Sequence, residues 1–412
     1  MSEIFVGLDI GTSTIRVVVA ERVETGVLQV IGVGVGESNG LRKGAVVNIE
    51  NTVSGIHQAI EAAEMMSGVE ITHCVVGIGG THIEGINSKG IVAVTDKGKG
   101  NREIDEKDIE RVVDAARAVA IPIDRRVLHV IPKSYKVDDQ PGIKDPRNMI
   151  GVRIEGEVHI VTGSVTCMKN IVDCVKRSNI QVDDLMYHGL AAVKSVLNEE
   201  ERNLGSVLID IGGGTTDFVV MHEGAPVFVG SIPVGGIQVS SDLAQIKNLS
   251  FETAENIKIK DGCCWVPLIE DDGKILISGQ ASRAPIEIEK REIAEIMEAR
   301  MSEVFTIVYD KIKRGSSGLR TADSIILCGG GSLLPGVVEL ASAIFGTPAV
   351  HLGMPGTLGG LTGEYRSPEF AVVLGLLLEQ VQKRGASAAQ GKTQPNQNGL
   401  FTKAKDLWKS LF

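Results

Sequence analysis

Only six cysteines occur in the 412 residues, at positions 74, 167, 174, 263, 264 and 328, with no CxxC among them, and the eight histidines form no HExxH. Those absences argue against a structural zinc site and a disulfide framework, and scattered thiols suit a reducing cytosol. Basic residues are outnumbered, 42 Lys and Arg against 52 Asp and Glu, for a formal net charge of -10. A protein held mainly by nucleic-acid phosphates needs the opposite sign, so no nucleic-acid partner is expected. Acidic Glu3 stands where a signal peptide would place positive charge, and no export is expected. The longest apolar stretch near the C-terminus, Phe370 to Leu378, falls far short of the ~20 residues that cross lipid and reads as a buried helix. Aromatics make up 4% of the chain while glycine numbers 49. The glycines gather where apolar runs end, which points to an α/β protein with binding loops built from backbone.

The length predicts two to four domains. Ile4 to Leu8, Ile15 to Ala20 and Leu28 to Val35 read as a strand meander, followed by an amphipathic helix over Val53 to Met66 and a strand over Ile71 to Gly77. Lys, Asp and Glu become denser from Glu84 to Asp108, and about 84 to 160 is a candidate inserted small domain. Within it a helix starts near Asp105, with Asp108 completing a weakened capping box. By periodicity alone, Asp105 to Asp114 reads as a solvated helix face. Strands are expected at Arg126 to Ile131, Tyr135 to Val137 and Glu157 to Thr162. Farther on, Asp242 to Lys260 is helical by pattern, Val266 to Ser278 is strand-like, and Ile288 to Tyr309 is a helix.

Asp9-Ile-Gly-Thr-Ser-Thr14 follows one apolar strand, and Asp210-Ile-Gly-Gly-Gly-Thr-Thr216 follows another about 200 residues later. The repeat implies a duplication and two facing α/β halves. A carboxylate at each strand end can position Mg²⁺ through ordered water, glycines let backbone N–H groups approach phosphate oxygens, and Thr12, Ser13, Thr14, Thr215 and Thr216 add hydroxyls. There is no GxxxxGK[ST], and both loops lead into a strand and not a helix, so neither a P-loop nor a Rossmann fingerprint is present. No convincing general base emerges.

These motifs resemble those of the actin, Hsp70 and sugar-kinase superfamily. Asp9-Ile-Gly-Thr looks like its first phosphate motif, the stretch 208 to 217 its second, and 326 to 335, with Cys328-Gly-Gly-Gly-Ser332, its adenosine motif. Within it the chain is most similar to the FtsA family, through His129-Val-Ile-Pro132, Gly142-Ile-Lys-Asp-Pro146, Ile232-Pro-Val-Gly-Gly236, Phe345-Gly-Thr-Pro348 and the tail. The resemblance implies an actin-like ATPase fold with two duplicated RNase H-like halves. It divides the chain into a first large subdomain (1–83, 161–195, 357–380), an inserted small domain (84–160), a second large subdomain (196–236, 304–356) and a smaller one (237–303). A flexible linker (381–399) and an amphipathic membrane-targeting helix (400–412) follow.

By the same resemblance the cofactors are ATP and Mg²⁺. Asp9, Gly11, Thr12 and Ser13 surround the β- and γ-phosphates, and Arg16 matches a phosphate-reaching basic residue. Asp210, Gly213, Gly214 and Thr215 form the facing loop, with Asp9 and Asp210 holding metal and water. Glu255 and Lys258 meet ribose and base; spacing alone allows them to be an exposed helix pair. Gly329, Gly330, Gly331 and Ser332 close the adenosine side. Hydrolysis is expected to be slow if it occurs. The implied partners are the FtsZ C-terminal tail at 237–303, further copies in an actin-like filament, anionic lipid, and later division proteins, at the cytoplasmic face of the inner membrane of the septum. One departure stands at Asn148-Met-Ile-Gly151, where Asn148 takes a place that is often glycine; altered loop contacts are expected there.

The tail also speaks from its own residues. Leu400, Phe401, Ala404, Leu407, Trp408, Leu411 and Phe412 recur at spacings of three and four, edged by mostly positive charge at Lys403, Lys405, Asp406 and Lys409. Such a stripe suits burial at an anionic surface, and a helix packed on the body is the plainer alternative. From Val381 to Gly399 the composition shifts to Gln, Gly, Ala, Ser and Asn with a proline at 395, which favours a tether. The competing functions are a small-molecule kinase of the same superfamily, which lacks a secure acceptor-site signature here, and an Hsp70-like chaperone, which lacks a long peptide-binding domain.

Overall fold

The computed structural model describes residues 3–390 except 24–26, 97–98, 271–272, 278–284, 316–323, 357, 361–362 and 364. The expected linker residues 391–399 and the whole amphipathic tail at 400–412 therefore lie outside the described residues.

The chain opens with an antiparallel meander, β1 (Glu3–Ile10), β2 (Thr14–Arg22) and β3 (Leu28–Glu37). The centre of β1 is buried throughout, which is why it reads as an unbroken apolar run and not an alternating one. A small ribbon, β4 (Leu41–Arg42) and β5 (Ala45–Val46), leads to α1 (Ile49–Ser67). Asn48 caps α1 by accepting the Asn51 N–H, and Gly68 ends it in the left-handed conformation. β6 (His73–Ile78) then pairs with β1 in parallel.

The chain next builds a separate layer from β7 (Glu84–Ala93), β8 (Thr95–Asp96), β9 (Lys99–Glu103), α2 (Glu106–Arg117), β10 (Arg125–Val137), β11 (Gln140–Ile143), β12 (Ile150–Gly151) and β13 (Arg153–Ser164). Its sheet, in the order β11-β10-β13-β7, shares a core with α2 formed by Val112, Ala116, Ile154 and Val158. α3 (Val165–Arg177) and β14 (Gln181–Tyr187) return to the first sheet, which has the order β14-β6-β1-β2-β3.

After α4 (His188–Val196) and α5 (Glu199–Leu204) the meander recurs as β15 (Ser206–Ile211), β16 (Thr216–His222) and β17 (Ala225–Ile232). α6 (Gly236–Lys247), α7 (Phe251–Asp261), the hairpin β18 (Lys274–Ile277) and β19 (Ile286–Glu289), and α8 (Lys290–Gly315) follow. β20 (Ser324–Cys328), α9 (Val337–Phe345), β21 (Val350–Leu352) and α10 (Ala371–Gln390) complete the described chain. β20 and β21 add in parallel beside β15, giving the order β21-β20-β15-β16-β17. Each large sheet is thus a three-strand meander extended by two parallel strands from its first strand.

α1 and α3 cover one face of the first sheet through Ile56, Ile60, Val172 and Val175. α8 and α9 cover the second sheet at Ile209 and Phe218 through Phe305 and Leu340. α4 and α10 lie between the sheets: Leu190 and Leu376 share a core with Val75 of β6 and Leu208 and Val219 of the second sheet. Burying each such side chain stabilises by about 2 kcal/mol, so this central layer sets how the two halves meet.

Several expectations change. The linker expected from Val381 begins no earlier than 391, because α10 continues to Gln390. Gln380 Oε1 accepts the Val6 N–H at 3.0 Å, Arg384 donates to the Ile4 carbonyl at 3.1 Å, and Lys383 pairs with Asp184. The predicted strands at 126–131 and 135–137 are one strand carried across irregular register. The single helix expected over 242–260 is two, broken by left-handed Asn248, and Val266–Leu268 is a 3₁₀ turn before the short β18. The capping box at Asp105 and Asp108 is complete, but α2 is not simply a solvated face: Asp108 is fully buried and takes two bonds from Arg102, at 2.7 and 2.8 Å, and one from Arg111. Asn148 adopts φ of 64°, the conformation glycine takes most easily and asparagine tolerates best among other residues, so the turn survives the departure.

Candidate functional site

β1 turns into β2, and β15 into β16, through the same local bond. Gly11 N–H donates to the Thr14 carbonyl at 3.1 Å, and Gly212 N–H to the Thr215 carbonyl at 2.9 Å. The ladders set Asp9 opposite Arg16 and Asp210 opposite Asp217. The two turns face each other closely. A Cβ at Gly213 would sit 2.0 Å from Ser13 Oγ, and one at Gly214 2.7 Å from Thr12 Cγ2, so side chains there would wedge the halves apart.

The adenosine-motif loop lies beside the second turn. Gly329 has φ of 78°, and a Cβ on it would meet Asp210 Oδ1 at 2.2 Å. Ser332, almost fully buried, donates from Oγ to the Gly329 carbonyl at 2.7 Å, while Gly330 faces open space. α6 begins against the same turn, with the Gly236 and Ile237 N–H groups donating to the Gly212 and Gly213 carbonyls at 2.9 and 2.8 Å. Lys258 of α7 is buried, donates to the Gly236 carbonyl at 3.2 Å and holds both Glu255 carboxylate oxygens at 2.8 Å. That burial removes the exposed-pair reading of Glu255 and Lys258. The four predicted groups, around Asp9, Asp210, Lys258 and Gly329, therefore converge.

Three carboxylates meet at the cleft floor, Asp9 and Asp210 at 7% exposure and Asp217 at 3%. Burial pushes the Asp210 carboxyl up to about 7; Asp217 and Asp9 add to the rise, while His188 and Arg16 oppose it. Burial raises Asp217 as well. His188, the first residue of α4, places Nε2 3.2 Å from Asp9 Oδ1, yet both atoms are buried without a hydrogen-bond partner. An orphaned carboxylate oxygen, Asp9 Oδ1, among crowded acids is what a hydrated cation would satisfy, so the residues fit Mg²⁺. Among the described residues no group of three His, Cys, Asp or Glu forms a ready-made set of direct metal ligands.

Arg16, the expected phosphate-reaching residue, stands opposite Asp9 on β2. Its guanidinium pairs with Glu369 and lies 5.3 Å from the centre of the Phe370 ring. Two groups escaped sequence reasoning. Asp217 closes the second motif seven residues after Asp210, and register opposite Asp210 was its available signal. His188 carries no motif, since only the fold brings α4 to β1.

A family model described as "Cell division protein FtsA" matches residues 207–375, and one described as "SHS2 domain inserted in FTSA" matches 80–162. The chain is 43% identical to cell division protein FtsA of Pseudomonas aeruginosa, covering 93% of this chain and 90% of that one. It is 40% identical to the Borreliella burgdorferi protein, with 91% and 90% covered, and 35% identical to that of Escherichia coli K12, again with 91% and 90% covered. Among solved structures, the PilM-PilN type IV pilus biogenesis complex matches with a TM-score of 0.64 at 17% identity, over 92% of this chain and 98% of that one. MreB5 of Spiroplasma citri bound to ADP matches with a TM-score of 0.55 at 15% identity, over 93% and 98%. The architecture is an actin-like ATPase fold carrying an FtsA-type inserted domain.

Proposed function

The chain belongs to the FtsA family of cell-division proteins, and from that premise we propose an ATP-binding protein that polymerises like actin, anchors FtsZ to the cytoplasmic membrane and recruits later division proteins. The observation that carries the nucleotide reading is the face-to-face packing of the turns at Ser13 and Gly213, with three buried acids below them. The matching sheet orders support two duplicated RNase H-like halves.

Mg²⁺, when bound, neutralises charge on the phosphate oxygens. Asp9 and Asp210 hold the metal's water shell, Ser13, Thr12 and Thr215 flank the phosphates, and Glu255 and Lys258 border the ribose and base. The Gly329–Ser332 loop closes the adenosine side. His188, beside Asp9, helps to position a water from Nε2. In this reading residues 237–303 receive the FtsZ tail, the inserted domain meets neighbouring copies and later division proteins, and the amphipathic segment 400–412 rests on anionic lipid at the septum.

Calorimetry tests the cleft. Asp210→Ala is expected to weaken Mg-ATP binding at least about tenfold, and His188→Ala to slow turnover while leaving affinity near that of the parent. Unchanged affinity in the Asp210 variant would remove the facing turn from the site.

A further inference from the structure

The short turn Pro368–Phe370 at the head of α10 touches both halves of the cleft. From the first half, Arg16 Nη2 reaches Glu369 Oε2, and Phe370 lies against the guanidinium. From the second, the Gly329 N–H donates to the Pro368 carbonyl at 3.1 Å. Arg16 and Asp9 are directly opposed on neighbouring antiparallel strands, so their side chains leave the same face of the sheet. Asp9 meets α4 there and Arg16 meets the start of α10.

Arg16 is not fully engaged. Its Nε is buried without a hydrogen-bond partner, its side chain is 14% exposed, and Glu369 is 30% exposed. A guanidinium presents a planar fork of donors that suits two oxygens of one carboxylate or phosphate. Here Glu369 takes only the Nη2 end, in a pair open enough to exchange. A carboxylate parked on the basic side chain opposite Asp9 competes with any other anion for it.

We propose that Glu369 occupies Arg16 as an internal surrogate for the terminal phosphate of a nucleoside triphosphate, and so sets the affinity of the cleft and its preference for triphosphate over diphosphate. The inference rests on the nucleotide reading given above. Arg16 exchanges one anionic partner for another. The exchange releases Glu369 and loosens the turn that Gly329 holds from the opposite half. Because the apparent affinity is lowered by the fraction of protein in which Arg16 is occupied, removing Glu369's charge tightens triphosphate binding. A diphosphate, lacking the group that Arg16 would take, gains little.

The test uses the full chain as parent, Glu369→Gln, Arg16→Gln and the double variant, each titrated calorimetrically with Mg-ATP and Mg-ADP. Glu369→Gln is expected to bind ATP about tenfold more tightly and ADP within about twofold of the parent. Its nucleotide-free form should unfold at a lower temperature, since Arg16 loses its partner. Arg16→Gln should lose far more affinity for ATP than for ADP, and the double variant should behave like Arg16→Gln alone. ATP affinity unchanged or reduced in Glu369→Gln, or equal changes for both nucleotides, overturns the exchange. If Glu369→Gln does not fold, Arg16→Gln decides, and equal losses for ATP and ADP overturn it. A parent that binds neither nucleotide overturns the nucleotide reading itself; a parent that binds both, indifferent to Glu369, overturns only the surrogate.

Discussion

Asp210 is an aspartate whose ordinary ionised state is made costly by its surroundings. Its carboxyl is raised to about 7, first by burial and then by Asp217. A carboxyl raised from about 4 to about 7 weakens the ionised apo fold by roughly 4 kcal/mol once the pH passes 7. The sign follows from proton uptake: between those values the native state binds the proton and the unfolded state does not, so stability falls as pH rises through that window. Asp210→Asn without nucleotide or metal should therefore unfold at a higher temperature than the parent at pH 8, with the gap narrowing toward pH 5. A thermal melt series across pH checks this, and a gap independent of pH would mean the carboxyl is not held protonated. The same charge that destabilises the empty cleft suits a divalent cation, which is why cost and function coincide here.

At the scale of the element, α2 shows how a cap becomes a core feature. Asp108 closes the capping box with Asp105 and also anchors Arg102 and Arg111 while fully buried. Its carboxyl is lowered: burial is the largest single influence and opposes this, but the hydrogen bonds from Arg102 and Asp105 and the charge of Arg102 together outweigh it. The resulting stabilisation holds above the ordinary aspartate pKa and is lost as pH falls below it. Asp108→Ala is expected to cost about 3 kcal/mol in the inserted domain, against about 1 kcal/mol for Asp105→Ala. Hydrogen exchange over β7, α2 and β13 would report it, and equal small losses would show Asp108 to be an ordinary cap. The sequence pattern located this helix and both capping residues, because capping is a contact across three residues. It could not locate Arg102's role, because that depends on how β9 is carried past the head of α2.

For the whole molecule, α10 joins the cleft to the chain that leads to the tail. It starts beside Glu369 and is held along its length by Gln380, Lys383 and Arg384 against the first sheet. In the proposed assembly each copy carries one tail of modest affinity, with three lysines near anionic lipid adding about 1 kcal/mol each. Many tails on one filament then bind as an array. Trp408→Glu is expected to release the protein from anionic vesicles in sedimentation while Mg-ATP affinity stays unchanged. Undiminished vesicle binding would transfer the anchor to another surface.

The glycine turns after two apolar strands, the acidic residues beside them and the amphipathic periodicity of the tail were all legible in the chain itself. Each is a pattern over neighbours, written by local geometry and by the alternation of buried and exposed positions. What only the tertiary structure decided were the contacts between segments far apart in sequence. They include His188 brought to Asp9, Asp217 buried against Asp210, Lys258 drawn under the start of α6, and Arg16 turned onto Glu369. Those pairings follow from how two sheets pack around α4 and α10, and side chains meet there because burying their shared apolar layer outweighs the local preferences of any one segment.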